Sequence, residues 1–294
     1  MKKNKLPVLA VIGGSGLYEL DNLKVINRRS INTPFGKPSD KILVSKYKNL
    51  DVLFLPRHGK NHNIPPHKIN YQANIYALKK LGVTDIISVS AVGSLKEKYK
   101  PGDFVLVDQY IDRTFNRRTT FFDDDCVAHV SLAHPISKQI LNKLYSCKNK
   151  ISNLKKGGTY IAIEGPQFST YAESMLYRKF NCDIIGMTNL PEVRLAKEAE
   201  IGYASIGMVT DYDCWHEGHS AVTVEDVISV MKKNTFKAKE LLEAFFTKTI
   251  EGSDWDFDSD IYTNLDKAII TSKENISNKT KKKLKPILNR FLKA

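Results

Sequence analysis

The stretch YASIGMVTDYD, residues 203–213, is an apolar run that ends in two carboxylates one residue apart. An apolar run of this length, bounded by turn residues, predicts a buried strand. Alternate residues of a strand share a face, so Asp211 and Asp213 point into one pocket if the extended geometry continues to residue 213. Three tasks need such a pair: holding a hard metal ion, protonating a leaving group, or accepting hydrogen bonds from a ligand.

The same pattern, an apolar run that ends in polar or small residues, recurs along the chain. It predicts further strands at residues 6–12, 41–45, 50–55, 86–92, 104–110, 160–163 and 183–187. Helical periodicity occurs at residues 71–81, 172–180 and 192–199, and a capping-box pattern at Thr223 opens a long helix to about residue 247. Strands that alternate with helices indicate an α/β fold with a central, largely parallel sheet. Without a linker or repeat, one domain over residues 1–294 is expected.

Composition favours a soluble globular protein, with 42% hydrophobic and 26% charged residues among 294. No apolar run approaches the roughly 20 residues of a membrane helix. The basic start MKKNK is followed by a strand and glycines, unlike a signal peptide, so we expect a cytoplasmic protein. The four cysteines form no CxxC pair, which favours reduced thiols over a disulfide framework or zinc site.

The net charge of +13 is concentrated in a basic segment at residues 275–294, which contains no acidic residue. Such a segment can bind nucleic acid or an anionic surface. It can equally be a terminal helix or tail with a solvated basic face, whose apolar residues recur at helical spacing and pack inward: Leu284, Ile287, Leu288, Phe291 and Leu292. The second interpretation is favoured, and nucleic acid is not an expected partner.

Several strand exits carry groups suited to an anion, and ligands of α/β sheets bind at these exits. The turn at residues 13–16, GGSG, lets backbone amides approach an anion, with the Ser15 hydroxyl beside them. Arg57 and His58 follow another strand, where a guanidinium makes forked contacts to phosphate oxygens. Ser90 follows a third. These exits predict a phosphate or phosphate-ester site, whereas each alone is also explained as a structural turn.

The histidines after Arg57 raise the alternative of a metal site. His58, His62 and His67 are close in sequence, and zinc takes three or four ligands. However, Gly59 and the prolines at 65–66 predict a loop, not a helix that would align the rings. No metal is therefore expected.

Two more exits suit the organic part of a ligand. Phe168, at the mouth of a helix, is either a core residue or one edge of a pocket in which a purine stacks. At the end of another strand, the Met187 thioether suits a sugar, and the Thr188 hydroxyl suits an anion.

Taken in order, these stretches resemble the purine nucleoside phosphorylases. The resemblance covers about residues 7–250 and rests on GGSGL, LPRHG, NYQANIYALKKLG, SAVGSL, PGDFVLVDQYIDRT, EGPQFST, GMTNLPEVRLAKEAEI and TDYDCW. It implies a nucleoside phosphorylase-like single domain with a central twisted mixed, largely parallel sheet flanked by helices. It also implies a pentosyltransferase in which phosphate attacks C1′ of a nucleoside with inversion. Inorganic phosphate would be a co-substrate, with no cofactor, and the assembly a homotrimer or a dimer of trimers.

The resemblance also assigns site residues. It implies phosphate binding by Ser15, Arg57, His58, Ser90, Ala91 and Thr188. It implies ribose binding by Met187 and base binding by Phe168, Ser169, Asp211 and Asp213. It further implies an apolar 5′ pocket formed by Val224 and Val227, with His129 reaching the site of a neighbouring subunit.

Within the family, the acidic pair favours an aminopurine. Relatives that cleave 6-oxopurines generally have asparagine in place of Asp211 and glutamate in place of Ser169, whereas carboxylates accept hydrogen bonds from the amino group of adenine. Asp211 is the expected catalytic acid at N7, which requires a raised pKa. The expected reaction is phosphorolysis of 5′-methylthioadenosine, as in purine and methionine salvage. The alternatives are a purine nucleoside or methylthioinosine phosphorylase and a metal-dependent hydrolase using Asp211 and Asp213.

Overall fold

One mixed sheet organises the described part of the chain. The structure, a computed structural model, describes residues 5–18, 20, 22–216, 224–252, 255–257 and 260–293, without the side chains of residues 15, 18 and 224–229. In these ranges the sheet has eleven strands: β1 (Leu9–Gly13), β2 (Leu23–Arg29), β3 (Ile42–Tyr47), β4 (Leu50–Pro56), β5 (Asp85–Ser94), β6 (Phe104–Val107), β7 (Gln109–Arg113), β8 (Leu154–Lys156), β9 (Thr159–Ile163), β10 (Ile184–Gly186) and β11 (Gly202–Asp211).

Seven α-helices accompany the sheet in the same described ranges. They are α1 (Tyr71–Lys80), α2 (Lys138–Tyr145), α3 (Tyr171–Lys179), α4 (Asn189–Glu198), α5 (Val224–Glu251), α6 (Asn278–Lys283) and α7 (Lys285–Lys293). Helix α1 packs against α4 and α7, and α5 packs along β11. The ends of α1 and α3 are fixed by side chains, because Asn70 accepts from the Ala73 N–H and Thr170 forms a capping box with Glu173. None of the described helices combines the length and apolar character that a membrane crossing requires.

The sheet branches at β5. Its strand order is β2-β3-β4-β1-β5-β10-β9-β7, while β5 also pairs with β11, which continues through β6 to β8. Among the described strands, six pairings are parallel and four are antiparallel, so the predicted mixed, largely parallel sheet is confirmed. In register, Gly13 pairs with Pro56 and Asp211 with Gly93. The carboxyl ends of β1, β4, β5 and β11 therefore lie side by side.

The structure differs from the sequence prediction where a strand changes partners. The run 104–110 is not one strand, because β6 pairs with β11 and β8 while β7 pairs with β9. Asp108 lies at the break and accepts a hydrogen bond from the Gly158 N–H at 3.0 Å. Strand β2 was not predicted, since it is an edge strand with mostly exposed side chains and no alternating apolar pattern. The predicted capping residue Thr223 lies outside the described residues.

The basic C-terminal segment is packed on the body of the molecule. It forms two helices, α6 and α7, and Leu284, Ile287 and Leu288 are almost fully buried. Arg290 of α7 donates to Glu200 at 2.8 Å and to Asp266 at 2.9 Å. At least one positive charge of this segment, that of Arg290, is therefore paired with acidic side chains of the same protein. The four cysteines, Cys126, Cys147, Cys182 and Cys214, are free.

Candidate active site

A cavity of about 400 Å³ opens where the neighbouring strands end. It receives β5, β10 and β11 at their carboxyl ends, together with the turn after β1 and one face of α5. Ten of the predicted site residues line this single cavity: Arg57, His58, Ser90, Ala91, Phe168, Ser169, Met187, Thr188, Asp211 and Asp213. The convergence of strand exits that the sequence predicts is thus present in the structure.

The other four predicted site residues are not among the described residues that line this cavity. His129 is exposed and lines a separate cavity beside His134 and Lys197. The side chains of Ser15, Val224 and Val227 lie outside the described part of the structure. Gly14 and Gly16, on either side of Ser15, line the main cavity, and so do Met231 and Thr235 of α5.

Arg57 is a fixed positive charge in the cavity wall. Its guanidinium is almost fully buried, and Nε and Nη2 donate to the two oxygens of Glu192 at 2.8 and 3.0 Å. Nη1 donates to the Val89 carbonyl at 3.2 Å, and Nη2 also donates to Ser88 Oγ at 2.5 Å. Burial lowers the pKa of Arg57, but the charge and hydrogen bonds of Glu192 outweigh it, and the net effect is a raised pKa. The supporting role of Glu192 was not predicted from the sequence.

His58 is held in one tautomer. Its Nδ1 lies 2.8 Å from the Ile64 carbonyl, which can only accept, so Nδ1 carries a proton. Burial, together with the nearby charge of Arg57, lowers the pKa of His58 to about 4, against the hydrogen bond to the Ile64 carbonyl, which raises it. The ring stacks on His62 at 4.4 Å between centroids, although the segment is a loop as predicted. In the neutral ring Nε2 is an acceptor, so His58 donates to an anion only after taking up a second proton.

Four polar atoms in the cavity wall are buried without a hydrogen-bond partner among the described residues. They are Ser90 Oγ, Ser169 Oγ, Thr188 Oγ1 and Asp213 Oδ2. An unsatisfied buried polar group costs about 1–3 kcal/mol. Their concentration in one cavity marks its wall as a candidate binding surface for a polar ligand.

A turn, not continued strand geometry, brings the two carboxylates together. β11 ends at Asp211, and Asp213 has a left-handed φ of 53°, so the expected alternation of extended residues is wrong. The Asp213 N–H donates to Asp211 Oδ1 at 2.8 Å, which folds the turn onto the cavity. Gly93 opposite must lack a side chain, because a Cβ there would lie 2.9 Å from Asp211 Oδ1.

The two carboxylates have different surroundings. Burial raises the pKa of Asp211, while hydrogen bonds from the Thr210 hydroxyl and the Asp213 amide lower it. Thr210 Oγ1 lies 2.7 Å from Asp211 Oδ2 and 3.3 Å from the Val92 carbonyl. Its single proton can serve either acceptor, so Asp211 can be accommodated ionised or protonated. Burial, together with the charge of Asp211, raises the pKa of Asp213 to about 6, against the nearby Ser174 hydroxyl, which lowers it.

Trp215 fixes the chain just after this turn. Its indole N–H donates to the Ser94 carbonyl at 2.7 Å, and the Arg178 guanidinium stacks on the ring at 3.4 Å from its centroid. The end of β5 and the segment that carries both carboxylates are thereby held together.

Sequence reasoning missed several lining residues, of which Met231 and Thr235 had a usable signal. They follow Val227 at intervals of four residues on α5, so they share one helix face with it. His62, Met208 and Thr210 also line the cavity. Among the described residues, no group of three or more histidine, cysteine or acidic side chains is arranged to hold a metal ion.

The fold and the cavity define an α/β protein with one cavity at the ends of its strands, lined by an arginine, hydroxyls and two carboxyl groups. The Phosphorylase superfamily profile matches residues 8–247, and the chain belongs to this family. The S-methyl-5′-thioadenosine phosphorylase of Rhodospirillum rubrum is 47% identical over 290 residues, covering 97% of each chain. That of Hyperthermus butylicus is 54% identical over 236 residues, covering 80% of this chain and 85% of its own.

Solved structures agree with this family. A methylthioadenosine phosphorylase from an antarctic soil metagenomic library has a TM-score of 0.88 and 44% identity, covering 97% of this chain and all of its own. The methylthioadenosine phosphorylase of Schistosoma mansoni in complex with adenine has a TM-score of 0.80 and 36% identity, covering 87% of this chain and 95% of its own.

Proposed function

We propose that the protein catalyses phosphorolysis of 5′-methylthioadenosine to adenine and 5-methylthioribose 1-phosphate. The observation that carries the proposal is the pair of carboxylates, half-buried Asp211 and buried Asp213, in one cavity with the unpaired hydroxyls of Ser90 and Thr188. The activity named for the relatives supports the choice of substrate. Inorganic phosphate is the only co-substrate in this scheme, and no cofactor takes part.

In the proposed reaction a phosphate oxygen attacks C1′ and the bond from C1′ to the purine N9 breaks. The electron pair of that bond moves onto the purine, where a proton at N7 neutralises it. Asp211 supplies this proton, and the Thr210 hydroxyl then donates to the carboxylate that remains. Arg57, Ser90, Ala91 and Thr188 hold phosphate on the opposite side of the sugar, where its charge stabilises the developing positive charge on the ribose.

The base and the sugar are recognised by the other walls. Asp213 Oδ2 accepts from the exocyclic amino group of adenine, and Phe168 and Ser169 flank the ring. A 6-oxopurine presents an acceptor to this carboxylate, so the preference for adenine is steep. Met187 lies against the ribose.

The proposed assembly is a cytoplasmic homotrimer, alone or as a dimer of trimers, in which His129 of the partner subunit reaches the 5′ end of the nucleoside. Its exposure and its place in a cavity other than the main one favour such a role. Val224 and Val227 supply the apolar wall for the methylthio group. The four free cysteines fit a reducing compartment. Neither a membrane nor a nucleic acid takes part.

Release of adenine from 5′-methylthioadenosine is expected to require inorganic phosphate. The reaction is followed by absorbance with and without phosphate, and adenosine and inosine serve as comparison substrates. Faster turnover of 5′-methylthioadenosine than of either is expected. Release without phosphate would instead indicate a hydrolase, and turnover of inosine but not 5′-methylthioadenosine would show that the base specificity has been misassigned.

Binding of adenine is expected to strengthen as pH rises through about 6, the raised pKa of Asp213. Below this pH the carboxyl is mainly protonated, and above it the carboxylate accepts fully from the amino group. Adenine remains neutral across this range, so the change in affinity with pH reflects a group of the protein. Titration calorimetry with adenine alone measures it without interference from phosphate ionisation. Asp213→Asn should bind adenine more weakly and lose the pH dependence near 6. If the variant keeps this pH dependence, another group is responsible for it.

A further inference from the structure

Arg117 lies behind the cavity without lining it. It belongs to the segment between β7 and α2, residues 114–137, which is irregular in the structure apart from one isolated bridge at Ala128. The Arg117 side chain is only 1% exposed, in contrast with 77% for the neighbouring Arg118. A buried arginine in an irregular segment must have its charge and donors satisfied by specific partners.

Those partners are mainly backbone carbonyls from two separate parts of the site. Nη1 donates to the Met187 carbonyl at 2.7 Å and to the Leu190 carbonyl at 2.6 Å. Nη2 donates to the Glu164 carbonyl at 2.7 Å and to the Ile163 carbonyl at 3.3 Å. Nε points to the carboxylate of Glu164 at 3.4 Å. One guanidinium therefore connects the exit of β10 with the exit of β9.

These two exits carry different parts of the proposed substrate site. Met187, at the exit of β10, is the proposed ribose contact, and Thr188 beside it is a proposed phosphate contact. Glu164, at the exit of β9, begins the turn that leads to Phe168 and Ser169 at the base. Strands β9 and β10 are paired up to Gly186, and beyond that point Arg117 joins the ribose wall to the base wall.

We propose that Arg117 is a positioning residue that holds the ribose wall and the base wall in register for catalysis. The inference rests on the proposed function. The planar fork of arginine supplies five N–H donors in fixed directions, and both arms of the fork are used here. Lysine carries three donors on one point and cannot reach both exits from this position. The Glu164 carboxylate and the face of Tyr71, 5.3 Å from the guanidinium, offset the buried charge.

Arg117→Lys is the decisive variant, because it keeps the charge beside Glu164 and most of the buried volume. We expect kcat/KM for 5′-methylthioadenosine to fall by about 10²-fold, the effect of a reacting-group misplacement of about 1 Å. The dissociation constant of adenine alone should stay close to the wild-type value, since adenine contacts only the base wall. If Arg117 had a purely structural role, the variant would have a lower melting temperature. Its kcat would be unchanged, or its binding of adenine and of 5′-methylthioadenosine would weaken together. Arg117→Met should show the same split more strongly if it folds.

Arg118→Met is the matched control and should retain wild-type kcat, KM and adenine affinity. Wild-type kinetics in Arg117→Lys would overturn the positioning role, as would an equal loss of adenine binding and kcat/KM. Failure of the wild-type protein to cleave 5′-methylthioadenosine would instead refute the proposed function. The two failures are therefore distinguishable in one set of assays.

Discussion

Asp211→Ala is expected to lower kcat for phosphate-dependent release of adenine by about 10²–10⁴-fold, the usual contribution of a general acid or base. Asp211 is half-buried, and the partial burial of its carboxyl raises the pKa, so it can carry a proton at a pH where an exposed aspartate cannot. Removing it leaves negative charge on the departing purine without a proton donor. Initial rates with 5′-methylthioadenosine at saturating phosphate measure the effect.

Two further variants separate proton transfer from hydrogen bonding at this position. Asp211→Asn can donate a hydrogen bond to N7 but cannot deliver a proton, so its loss should be smaller than that of alanine. It should also shift the ratio of rates towards inosine, because an amide is tolerant of a 6-oxopurine. Thr210→Val, which removes the hydroxyl at 2.7 Å, is expected to alter the pH profile more than the maximal rate. A kcat for Asp211→Ala equal to the wild-type value would exclude Asp211 as the acid.

Glu192→Gln is expected to lower the free energy of unfolding by about 3–5 kcal/mol, the cost of removing one partner from a buried ion pair. Glu192 is 1% exposed and holds Arg57 with both oxygens, and it also accepts from the Tyr203 hydroxyl at 2.8 Å. An amide offers one acceptor oxygen in place of two, and the Arg57 charge remains buried. Urea denaturation measures the change. All variants are compared at one protein concentration, because the apparent stability of an oligomer would depend on concentration.

The matched control is an exposed ion pair. Asp51→Asn removes the partner of Lys46, and both side chains are 44% exposed, so the expected loss is at most about 1 kcal/mol. Replacing both members of the buried pair, in Glu192→Leu with Arg57→Met, should recover part of the stability while abolishing phosphate-dependent activity. A Glu192→Gln loss no larger than that of Asp51→Asn would show that Arg57 finds other compensation.

Strands buried on both faces were predictable because their sequences are continuous apolar runs. Residues 86–92 and 203–210 predicted β5 and β11 to within two residues of their ends. The break at Asp108 was not predictable, since a change of strand partner is a tertiary event that leaves no local pattern. Edge strand β2 was not predicted either, because its exposed side chains form no periodic apolar pattern.

The location of the site could be predicted from the sequence more readily than the geometry of its side chains. Polar strand exits located Arg57, His58, Thr188 and the acidic pair, and the family resemblance supplied their expected roles. The left-handed turn at Asp213 was not visible, because aspartate adopts that conformation only where its surroundings require it.

Supporting residues had the weakest signal of all. Glu192 lies in an ordinary helical pattern and Arg117 in an irregular one, so nothing local distinguishes them from surface charges. Only the packed structure shows that both side chains are buried.

The proton on His58 Nδ1 bears on how the proposed phosphate site would distinguish one tetrahedral anion from another. Because Arg57 is already matched by Glu192, net charge contributes little to the choice of anion. A neutral His58 offers a lone pair at Nε2, which a hydrogen phosphate ion can satisfy with its own P–O–H group. Sulfate near neutral pH carries no such proton and leaves that lone pair without a donor. In the proposed site, the tautomer fixed by the Ile64 carbonyl would thus favour phosphate over a sulfate ion of the same shape and charge.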